Sequence, residues 1–239
     1  MSVSLERGPY QQVLPLQLND RADFDTFISG PNEQAVDILK KAVQTKINEF
    51  FLVFGPPGCG KTHLLNALYR MESNSLGKAF YLDLKEARKW DPLLLNIDPP
   101  SLVILDNADA LAQDEAWELA LFALFNRWYD KREGTLIMSS RVSFDKIPFL
   151  RHDLNTRLGS GVTLPLNYLN EEQCIEALKR RAQGRAFSIP NATCAFLVRH
   201  FNRDMRHLVK LLDKLDEAQF NERHQLTIPF VKKVLTKVV

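Results

Sequence analysis

The sequence predicts an α/β fold in which a five-stranded parallel sheet flanked by helices is followed by a small all-α domain. Three observations support this prediction. Five short runs rich in β-branched and aromatic residues alternate with segments of helical periodicity. The glycine-rich stretch GPPGCGKT directly follows the first of these runs. After Leu169 the strand patterns stop, and four helical segments complete the chain.

The predicted strands are short apolar runs of the kind typical of strands buried on both faces. They are EFFLVF before Gly55, KAFYLDL from Lys78, SLVILD from Ser101, TLIMSS from Thr135 and, more weakly, GVTLPL from Gly161. Helical segments such as THLLNALYRM and EAWELALFALFNRWYDK separate them, and NEQAVDILKKAV precedes the first. Trp117 and Trp128 of the long second segment are expected to face the core. The alternation indicates crossover units on a parallel sheet.

The helical segments after Leu169 carry start signals. Asn170, with Gln173 three residues later, resembles a capping arrangement, and Asn191 and Thr227 are further candidate helix starts. We therefore expect a separate small helical domain behind the sheet domain.

Length and composition indicate a globular protein with a substantial core, since 239 residues include 45% hydrophobic and 25% charged residues. The cysteines Cys59, Cys174 and Cys194 show no metal-binding spacing, which favours reduced thiols. No signal peptide is recognisable, and no apolar run reaches the roughly 20 residues of a membrane span. We expect a cytoplasmic protein that does not contact the membrane.

The stretch GPPGCGKT satisfies G-x-x-x-x-G-K-[ST] in the strand-to-helix context that a phosphate-binding loop requires. Its glycines let backbone N–H groups turn onto the β-phosphate, and the following helix adds the positive end of its dipole. We expect Lys61 to reach the β- and γ-phosphates and Thr62 to hold Mg²⁺. A chance glycine loop is the alternative. The predicted nucleotide-binding residues are Gly55, Pro56, Pro57, Gly58, Cys59, Gly60, Lys61 and Thr62.

The strand SLVILD ends at Asp106, where a carboxylate can hold the magnesium ion of a nucleotide directly or through water. An ordinary strand terminator is the alternative. The next residue, Asn107, carries an amide, which can orient a water molecule but cannot act as a general base. Asp109 is expected to be a helix cap or an exposed carboxylate rather than a substitute base.

Four further segments are informative beside the phosphate loop: FDTFISGPNEQAV (24–36), MSSR (138–141), HDLNTRLGSGVTL (152–164) and NRDMRHLVKLLDKL (202–215). Together with the loop they resemble the AAA+ ATPases, specifically the replication-initiator, DnaA-like branch, over residues 24–239. The resemblance implies an N-terminal tail over 1–23, a P-loop AAA+ nucleotide-binding domain over 24–168 and a helical lid domain over 169–239.

The resemblance also implies roles for single residues. Phe27 and Ile28 would line the adenine pocket. Ser139 would be the sensor 1 residue that contacts phosphate through its hydroxyl, although Ser140 could do so instead and either could equally cap the following turn.

Two arginines match functional positions of the family. Arg157 matches the arginine finger, which neutralises charge on the γ-phosphate of a neighbouring subunit and contributes ~10³ to 10⁵ in rate. A surface arginine of no special role is the alternative. Arg206 matches sensor 2, which contacts the phosphates in cis, unless it pairs within its helix with Asp204 or Asp213.

The chain departs from DnaA at two points: it stops at Val239, where initiators continue into a helix-turn-helix domain, and it has Asn107 where they carry an acid. Short initiator-like proteins with these departures are similar to the regulatory inactivators of DnaA. The resemblance implies that Arg157 enters the ATP site of DnaA and stimulates hydrolysis, which shuts down initiation. The protein's own nucleotide, ADP or another diphosphate, or ATP, with Mg²⁺, would set its shape.

The stretch QQVLPL (11–16) resembles the short peptide that docks on the DNA polymerase sliding clamp, the beta subunit. Gln11 would be an amide anchor, and Leu14 and Leu16 would be apolar plugs on a segment restricted by Pro15. A flexible tail or edge strand is the alternative, because Gln12 stands where an apolar residue is usual. The expected partners are DnaA and the clamp, and a homo-oligomer is also compatible with the sequence.

Two other functions stay open at this point. An autonomous AAA+ ATPase that remodels a partner or loads a helicase would turn over ATP in a manner that depends on Lys61. Direct DNA binding could use the basic C-terminal helices, where 13 Lys and Arg oppose 8 Asp and Glu from Glu171 onward. A solvated helical face explains that charge equally well, and no groove-reading motif is recognisable. We therefore expect no sequence-specific DNA binding.

Overall fold

The computed structural model describes residues 22–75, 78–185, 187–201, 204–222 and 225–236. Its strands are β1 (Phe50–Phe54), β2 (Ala79–Asp83), β3 (Leu102–Asp106), β4 (Thr135–Ser140) and β5 (Val162–Pro165). Its α-helices are α1 (Glu33–Thr45), α2 (Lys61–Asn74), α3 (Leu84–Ala87), α4 (Glu115–Lys131), α5 (His152–Leu158), α6 (Glu171–Gln183), α7 (Asn191–His200), α8 (Met205–Glu222) and α9 (Ile228–Thr236). The predicted clamp-binding residues Gln11, Leu14, Pro15 and Leu16 lie outside the described residues.

The strands form one parallel sheet in the order β2-β3-β4-β1-β5. Parallel neighbours must be joined by crossover connections, which here place helices on both faces of the sheet. Strands β3 and β4 are buried along their whole length, and β1 is buried at all but its last residue. The predicted five-stranded parallel sheet is confirmed.

Alternate residues of β1 to β4 enter two separate cores, one on each face of the sheet, whereas β5 contributes only Leu164, to one of them. On one face Phe50 of β1 packs edge-on against Phe125 and Trp128 of α4, with ring centroids 5.6 Å and 6.4 Å apart. Trp117 belongs to the same core, so both tryptophans face the interior as predicted. Leu64 of α2 is buried in the core of the other face.

Helices α6 to α9 pack around a third core and form the helical domain. At the start of α6 the side chain of Asn170 accepts the backbone N–H of Gln173 at 2.8 Å, and the Gln173 side chain accepts the N–H of Asn170 at 3.0 Å. The predicted capping arrangement is therefore confirmed. Helix α7 begins at Asn191, although Pro190 is its N-cap, and Thr227 directly precedes α9. Over the parts of the chain that the structure describes, no helix is both long and apolar enough to cross a membrane.

The connection between the two domains is anchored by one buried amide, that of Asn32, which is 3% exposed. Its Nδ2 donates to the carbonyl oxygen of Asn167 at 3.0 Å, and its Oδ1 accepts the N–H of Asn167 at 2.8 Å. The start of the connection is thus tied to the segment that precedes α1.

Candidate nucleotide site

A cavity of about 800 Å³ lies between the sheet domain and the lid, where the strands have their carboxyl ends. The phosphate loop forms one side, and residues of α6 and α8 form another. The predicted site residues that line this cavity are Phe27, Ile28, Pro57, Gly58, Cys59, Gly60, Lys61, Thr62 and Arg206. The predicted residues that do not line it are Gly55, Pro56, Asp106, Ser139 and Arg157.

The phosphate loop adopts a backbone that requires glycine at two positions, since φ is +85° at Gly58 and +103° at Gly60. The first-turn N–H groups of α2, like those of any helix, have no intrahelical partner. The N-cap residue, Gly60, has no side chain that could accept a hydrogen bond from them. The ammonium of Lys61 is buried and donates to the carbonyl oxygens of Gly55 at 2.7 Å and Pro56 at 3.1 Å. Uncapped N–H groups beside a buried cation fit a phosphate.

Asp106 has no exposed surface and accepts four hydrogen bonds. Its Oδ2 accepts from the hydroxyl groups of Thr62 at 2.7 Å and Tyr81 at 3.2 Å, and its Oδ1 accepts from the hydroxyl of Ser139 and the N–H of Asn107. Burial raises the pKa of Asp106, while the hydrogen bonds from Ser139 and Thr62 act in the opposite direction. The hydroxyl of Thr62 and this carboxylate are oxygen ligands of the kind that Mg²⁺ prefers.

No group of three His, Cys, Asp or Glu side chains within the described ranges could hold a metal ion. Magnesium usually binds through one or two protein oxygens together with nucleotide phosphates and water. The pair formed by Thr62 and Asp106 fits that mode, in which metal and nucleotide bind together.

Asn107 lies directly after β3 in a left-handed conformation with φ of 60°. Its Nδ2 donates to Asp83 Oδ1 at 2.9 Å, so the amide is engaged by the end of the neighbouring strand β2. Asp109 does not behave as expected, because its side chain is 8% exposed and pairs with the backbone N–H and the guanidinium of Arg141. The expectation of a cap or an exposed carboxylate at Asp109 is therefore wrong.

The two serines at the end of β4 differ in role. Ser139 is fully buried, and its hydroxyl donates to Asp106 and accepts the N–H of Asn107 at 2.9 Å. Ser140 donates to the carbonyl oxygen of Val142 and so closes the following turn. Ser139 is thus linked to the cavity through Asp106 rather than by lining it.

The predicted base-binding side of the cavity is built around Phe27, whose ring meets that of His63 edge-on at 5.1 Å. His63 Nε2 lies 3.0 Å from the carbonyl oxygen of Asp23 and 3.3 Å from the hydroxyl of Thr26. His63 Nδ1 lies 2.8 Å from Nη2 of Arg181 on the lid helix α6. A carbonyl oxygen can only accept a hydrogen bond, and a guanidinium can only donate one. Nε2 of His63 therefore carries the proton, and Nδ1 accepts from Arg181.

This arrangement keeps His63 neutral. Burial, followed by the charge of Arg181, lowers the pKa of His63 to about 4. Burial likewise lowers the pKa of the Arg181 guanidinium. The two side chains therefore join the lid to the phosphate-loop helix through a bond that requires an uncharged imidazole. Sequence reasoning missed this pair, because 118 positions separate the two residues and neither belongs to a recognised motif.

Arg206 lines the cavity, but its guanidinium is paired with Asp204. The Asp204 carboxylate accepts from Nε at 3.1 Å and from Nη2 at 2.6 Å. Asp213, the other alternative partner, pairs instead with Arg185. Arg206 thus forms the ion pair with Asp204 that was the alternative to a sensor 2 role, and it also lines the cavity.

Arg157 lies on α5, exposed and away from the cavity. Its guanidinium carbon is 5.7 Å from the ring centroid of Tyr129 and 6.0 Å from that of Phe122, both on α4. Both distances are within the range of a cation–π contact. Arg157 is therefore a surface cation on an aromatic support.

Four further basic side chains line the cavity, although none of them was predicted to be a site residue: Lys85, Arg88, Arg141 and Lys210. Arg141 belongs to the stretch MSSR and could have been found from it, whereas the others come from α3, its C-cap and the lid helix α8. Arg141 is paired with Asp109, which also lines the cavity, and Arg88 is paired with Asp114. The charges of Lys85 and Lys210 favour an anionic ligand.

A phosphate loop after β1 of such a sheet, under a helical lid, defines a P-loop nucleotide-binding protein of the AAA+ class. Residues 18–87 match the family model of the bacterial DnaA ATPase domain, and residues 171–235 match that of the Hda lid domain. An uncharacterized protein of Haemophilus influenzae is 35% identical over 226 residues, which cover 94% of this chain and 98% of the relative. The chain belongs to the DnaA family of AAA+ ATPases, and its lid makes it an Hda-like member.

Solved structures support the same fold. Domain III of the Thermotoga maritima replication initiation protein DnaA superposes with a TM-score of 0.77 at 18% identity, covering 92% of this chain and 97% of that one. AMPPCP-bound DnaA from Aquifex aeolicus gives 0.68 at 20% identity, over 82% of this chain and 66% of that one. The Thermotoga maritima RuvB Holliday junction branch migration motor gives 0.65 at 17%, over 92% and 73%.

Proposed function

We propose that the protein is a nucleotide-bound regulator of DNA replication initiation. Tethered to the DNA polymerase sliding clamp, it stimulates ATP hydrolysis by DnaA and thereby inactivates DnaA. Membership of the DnaA family and the Hda lid support this proposal.

The nucleotide is ADP, or alternatively ATP or another diphosphate, held with Mg²⁺. Lys61 and the loop N–H groups would bind its phosphates, Thr62 and Asp106 the magnesium ion, and Phe27 and Ile28 the base. The bound diphosphate supplies negative charge that draws together the basic groups of the loop, the rim and the lid. Its role in this protein is to stabilise one arrangement of the two domains.

Hydrolysis by the protein itself is expected to be weak or absent. Asn107 follows the magnesium-binding strand, and its amide nitrogen donates to Asp83. An amide cannot take the proton of an attacking water molecule. This contact argues against the alternative of an autonomous AAA+ ATPase that loads a helicase or remodels a partner.

The observation that carries the proposal is the position of Arg157, an exposed cation outside the protein's own cavity. Contact with the rings of Phe122 and Tyr129 restricts the side chain, which reduces the entropy lost when it enters another active site. An arginine supplied in trans can raise phosphoryl-transfer rates by ~10³ to 10⁵. Arg157 would therefore act on the ATP of DnaA.

The tether rests on the N-terminal sequence, where Gln11, Leu14, Pro15 and Leu16 would dock on the clamp. A joint change of Gln11 and Leu14 to alanine should abolish the stimulation of DnaA that the clamp supports. The same variant should bind nucleotide as the unaltered chain does.

The decisive experiment measures hydrolysis of DnaA-bound ATP in the presence of clamp-loaded DNA. Arg157→Ala should reduce the stimulation at least about a hundredfold, and Arg157→Lys should restore little, because lysine lacks the planar fork. Arg180→Ala is the matched control, since Arg180 is also partly exposed but pairs with Glu176 on the lid. It should retain the stimulation.

Unchanged stimulation by Arg157→Ala would overturn the assignment of the finger. Steady ATP turnover by the purified protein without DnaA, lost in Lys61→Ala, would favour the autonomous ATPase.

A further inference from the structure

Four polar residues beside the phosphate loop form a closed ring of hydrogen bonds. Asn66 lies one turn after Thr62 on α2, is 2% exposed and lines the cavity. Its Nδ2 donates to the carbonyl oxygen of Thr62 at 2.7 Å and to the hydroxyl of Tyr81, on β2, at 3.3 Å. Tyr81 donates to Oδ2 of Asp106 at 3.2 Å, and the Thr62 hydroxyl closes the ring by donating to the same oxygen at 2.7 Å. The ring thus joins α2, β2 and β3.

The direction of each hydrogen bond in this ring is fixed by chemistry. A carbonyl oxygen can only accept, so Nδ2 of Asn66 and not its Oδ1 must face the carbonyl group of Thr62. The Tyr81 hydroxyl has one proton, and because it accepts from Asn66 it donates that proton to Asp106. A carboxylate can only accept, so the Thr62 hydroxyl must also donate to Asp106.

The amide of Asn66 makes its two donations at the expense of its own oxygen. Its Oδ1 is buried, and no donor among the described residues reaches it. Buried acceptors without a partner are rare in native proteins, because the hydrogen bonds to water that they lose on folding are not replaced. An apolar side chain would avoid that loss, so the contribution of Asn66 lies in the groups that its Nδ2 holds.

The ring determines which part of the Thr62 hydroxyl faces the cavity. Thr62 lines the cavity, whereas Tyr81 and Asp106 do not. Because the single proton of the Thr62 hydroxyl points to Asp106, only oxygen lone pairs remain for a ligand on the cavity side. Lone pairs suit a hard cation such as Mg²⁺, whereas a hydroxyl proton turned toward the cavity would repel it.

We propose that Asn66 and Tyr81 are positioning residues for the magnesium-binding oxygen of Thr62. They hold the Asp106 carboxylate in place and thereby keep the proton of the Thr62 hydroxyl turned away from the cavity. Groups that orient metal ligands in this way typically contribute about ten- to a hundredfold to metal affinity. The inference rests on the proposed nucleotide site.

The test measures the dissociation constant of ADP by calorimetry, once with Mg²⁺ and once with EDTA. Tyr81→Phe removes one hydroxyl group and keeps the buried ring. It should weaken binding with Mg²⁺ about tenfold and binding with EDTA less than about twofold, because only the metal-dependent part of the affinity uses the oriented hydroxyl. Asn66→Ala is the second variant and should act in the same direction.

Thr62→Val shows whether the two residues act through Thr62, because valine has the shape of threonine without its hydroxyl. If they do, Tyr81→Phe should weaken binding no further in a chain that already carries Thr62→Val. Tyr69→Phe is the matched control, since Tyr69 does not line the cavity and its ring centroid is 6.0 Å from that of Tyr81. It should bind ADP as the unaltered protein does under both conditions.

Equal weakening with Mg²⁺ and with EDTA would assign Tyr81 a purely structural role and overturn the inference alone. Unchanged binding in Tyr81→Phe, a loss that adds to that of Thr62→Val, or the same loss in Tyr69→Phe would also overturn it. So would binding of ADP by the unaltered protein that does not depend on Mg²⁺. Failure of the unaltered protein to bind ADP at all would overturn the proposed nucleotide site as well.

Discussion

Replacement of Glu118 by Gln should destabilise the protein, although the two side chains have almost the same shape. Glu118 lies on α4 with no exposed surface and accepts three backbone N–H groups. Its Oε1 accepts from Gln113 at 2.9 Å and Leu150 at 3.0 Å, and its Oε2 accepts from Arg151 at 3.0 Å. Arg151 is the N-cap of α5, so this carboxylate fixes the start of the helix that carries Arg157.

In Glu118→Gln the remaining oxygen can still accept two of these donors, but the new NH₂ group faces the third. A hydrogen bond to a charged acceptor contributes ~1.5 to 3 kcal/mol, and an unsatisfied buried donor costs ~1 to 3 kcal/mol. Because these contributions overlap, we expect the free energy of unfolding to fall by about 2 to 4 kcal/mol. Urea unfolding, followed by the fluorescence of the buried Trp117 and Trp128, measures the change.

Glu115→Gln is the control, because Glu115 lies exposed in the first turn of the same helix. Loss of its interaction with the helix dipole should cost less than about 1 kcal/mol. If Glu118→Gln unfolded within about 0.5 kcal/mol of the unaltered protein, the three N–H groups would not depend on the charge of Glu118, and the reasoning would be refuted.

Three further predictions concern the cavity and the core. The pKa of His63 is lower in the folded chain, about 4, than its ordinary 6.5, so its stabilising effect is complete above pH 6.5 and is lost as pH falls towards 4. In His63→Gln the free energy of unfolding should therefore fall less between pH 6.5 and pH 4 than in the unaltered protein, by at most about 3 kcal/mol. Urea titrations that show the same fall in both proteins would contradict this prediction. Lys61→Ala should abolish the increase in unfolding temperature that ADP gives the unaltered protein, and undiminished protection would exclude Lys61 from the site. Trp128→Phe removes the donor to the Gly134 carbonyl oxygen at 3.0 Å together with some buried area, and should cost about 1 to 3 kcal/mol in the same urea assay.

Most of the fold can be predicted from local patterns in the sequence. Strands β1, β3 and β4 are buried on both faces, which requires continuous apolar runs that are visible without any tertiary information. The pattern of β5 is weaker because β5 is an edge strand, with Val162 39% exposed. The phosphate loop is equally local, since its glycines and Lys61 follow one strand and precede one helix.

Contacts between residues that are far apart in the sequence leave no local pattern from which they could be predicted. Glu118 resembles an ordinary helical glutamate until the loop before α5 folds over it. Asp109 meets Arg141 only because β3 and β4 are neighbours in the sheet. Adjacent strand residues point to opposite faces, so the choice between Ser139 and Ser140 depended on which of them reached Asp106.

The amide of Asn32 limits how the lid can move. With Asn167 held at both its backbone groups and α6 beginning at Glu171, only Tyr168 to Asn170 connect the two, and these residues span about 10 Å when fully extended. The Tyr168 hydroxyl also donates to the Pro57 carbonyl oxygen at 3.0 Å. A connection this short allows the helical domain to rotate relative to the sheet domain but prevents a large translation. One side-chain amide thus fixes the place at which the helical domain leaves the sheet domain.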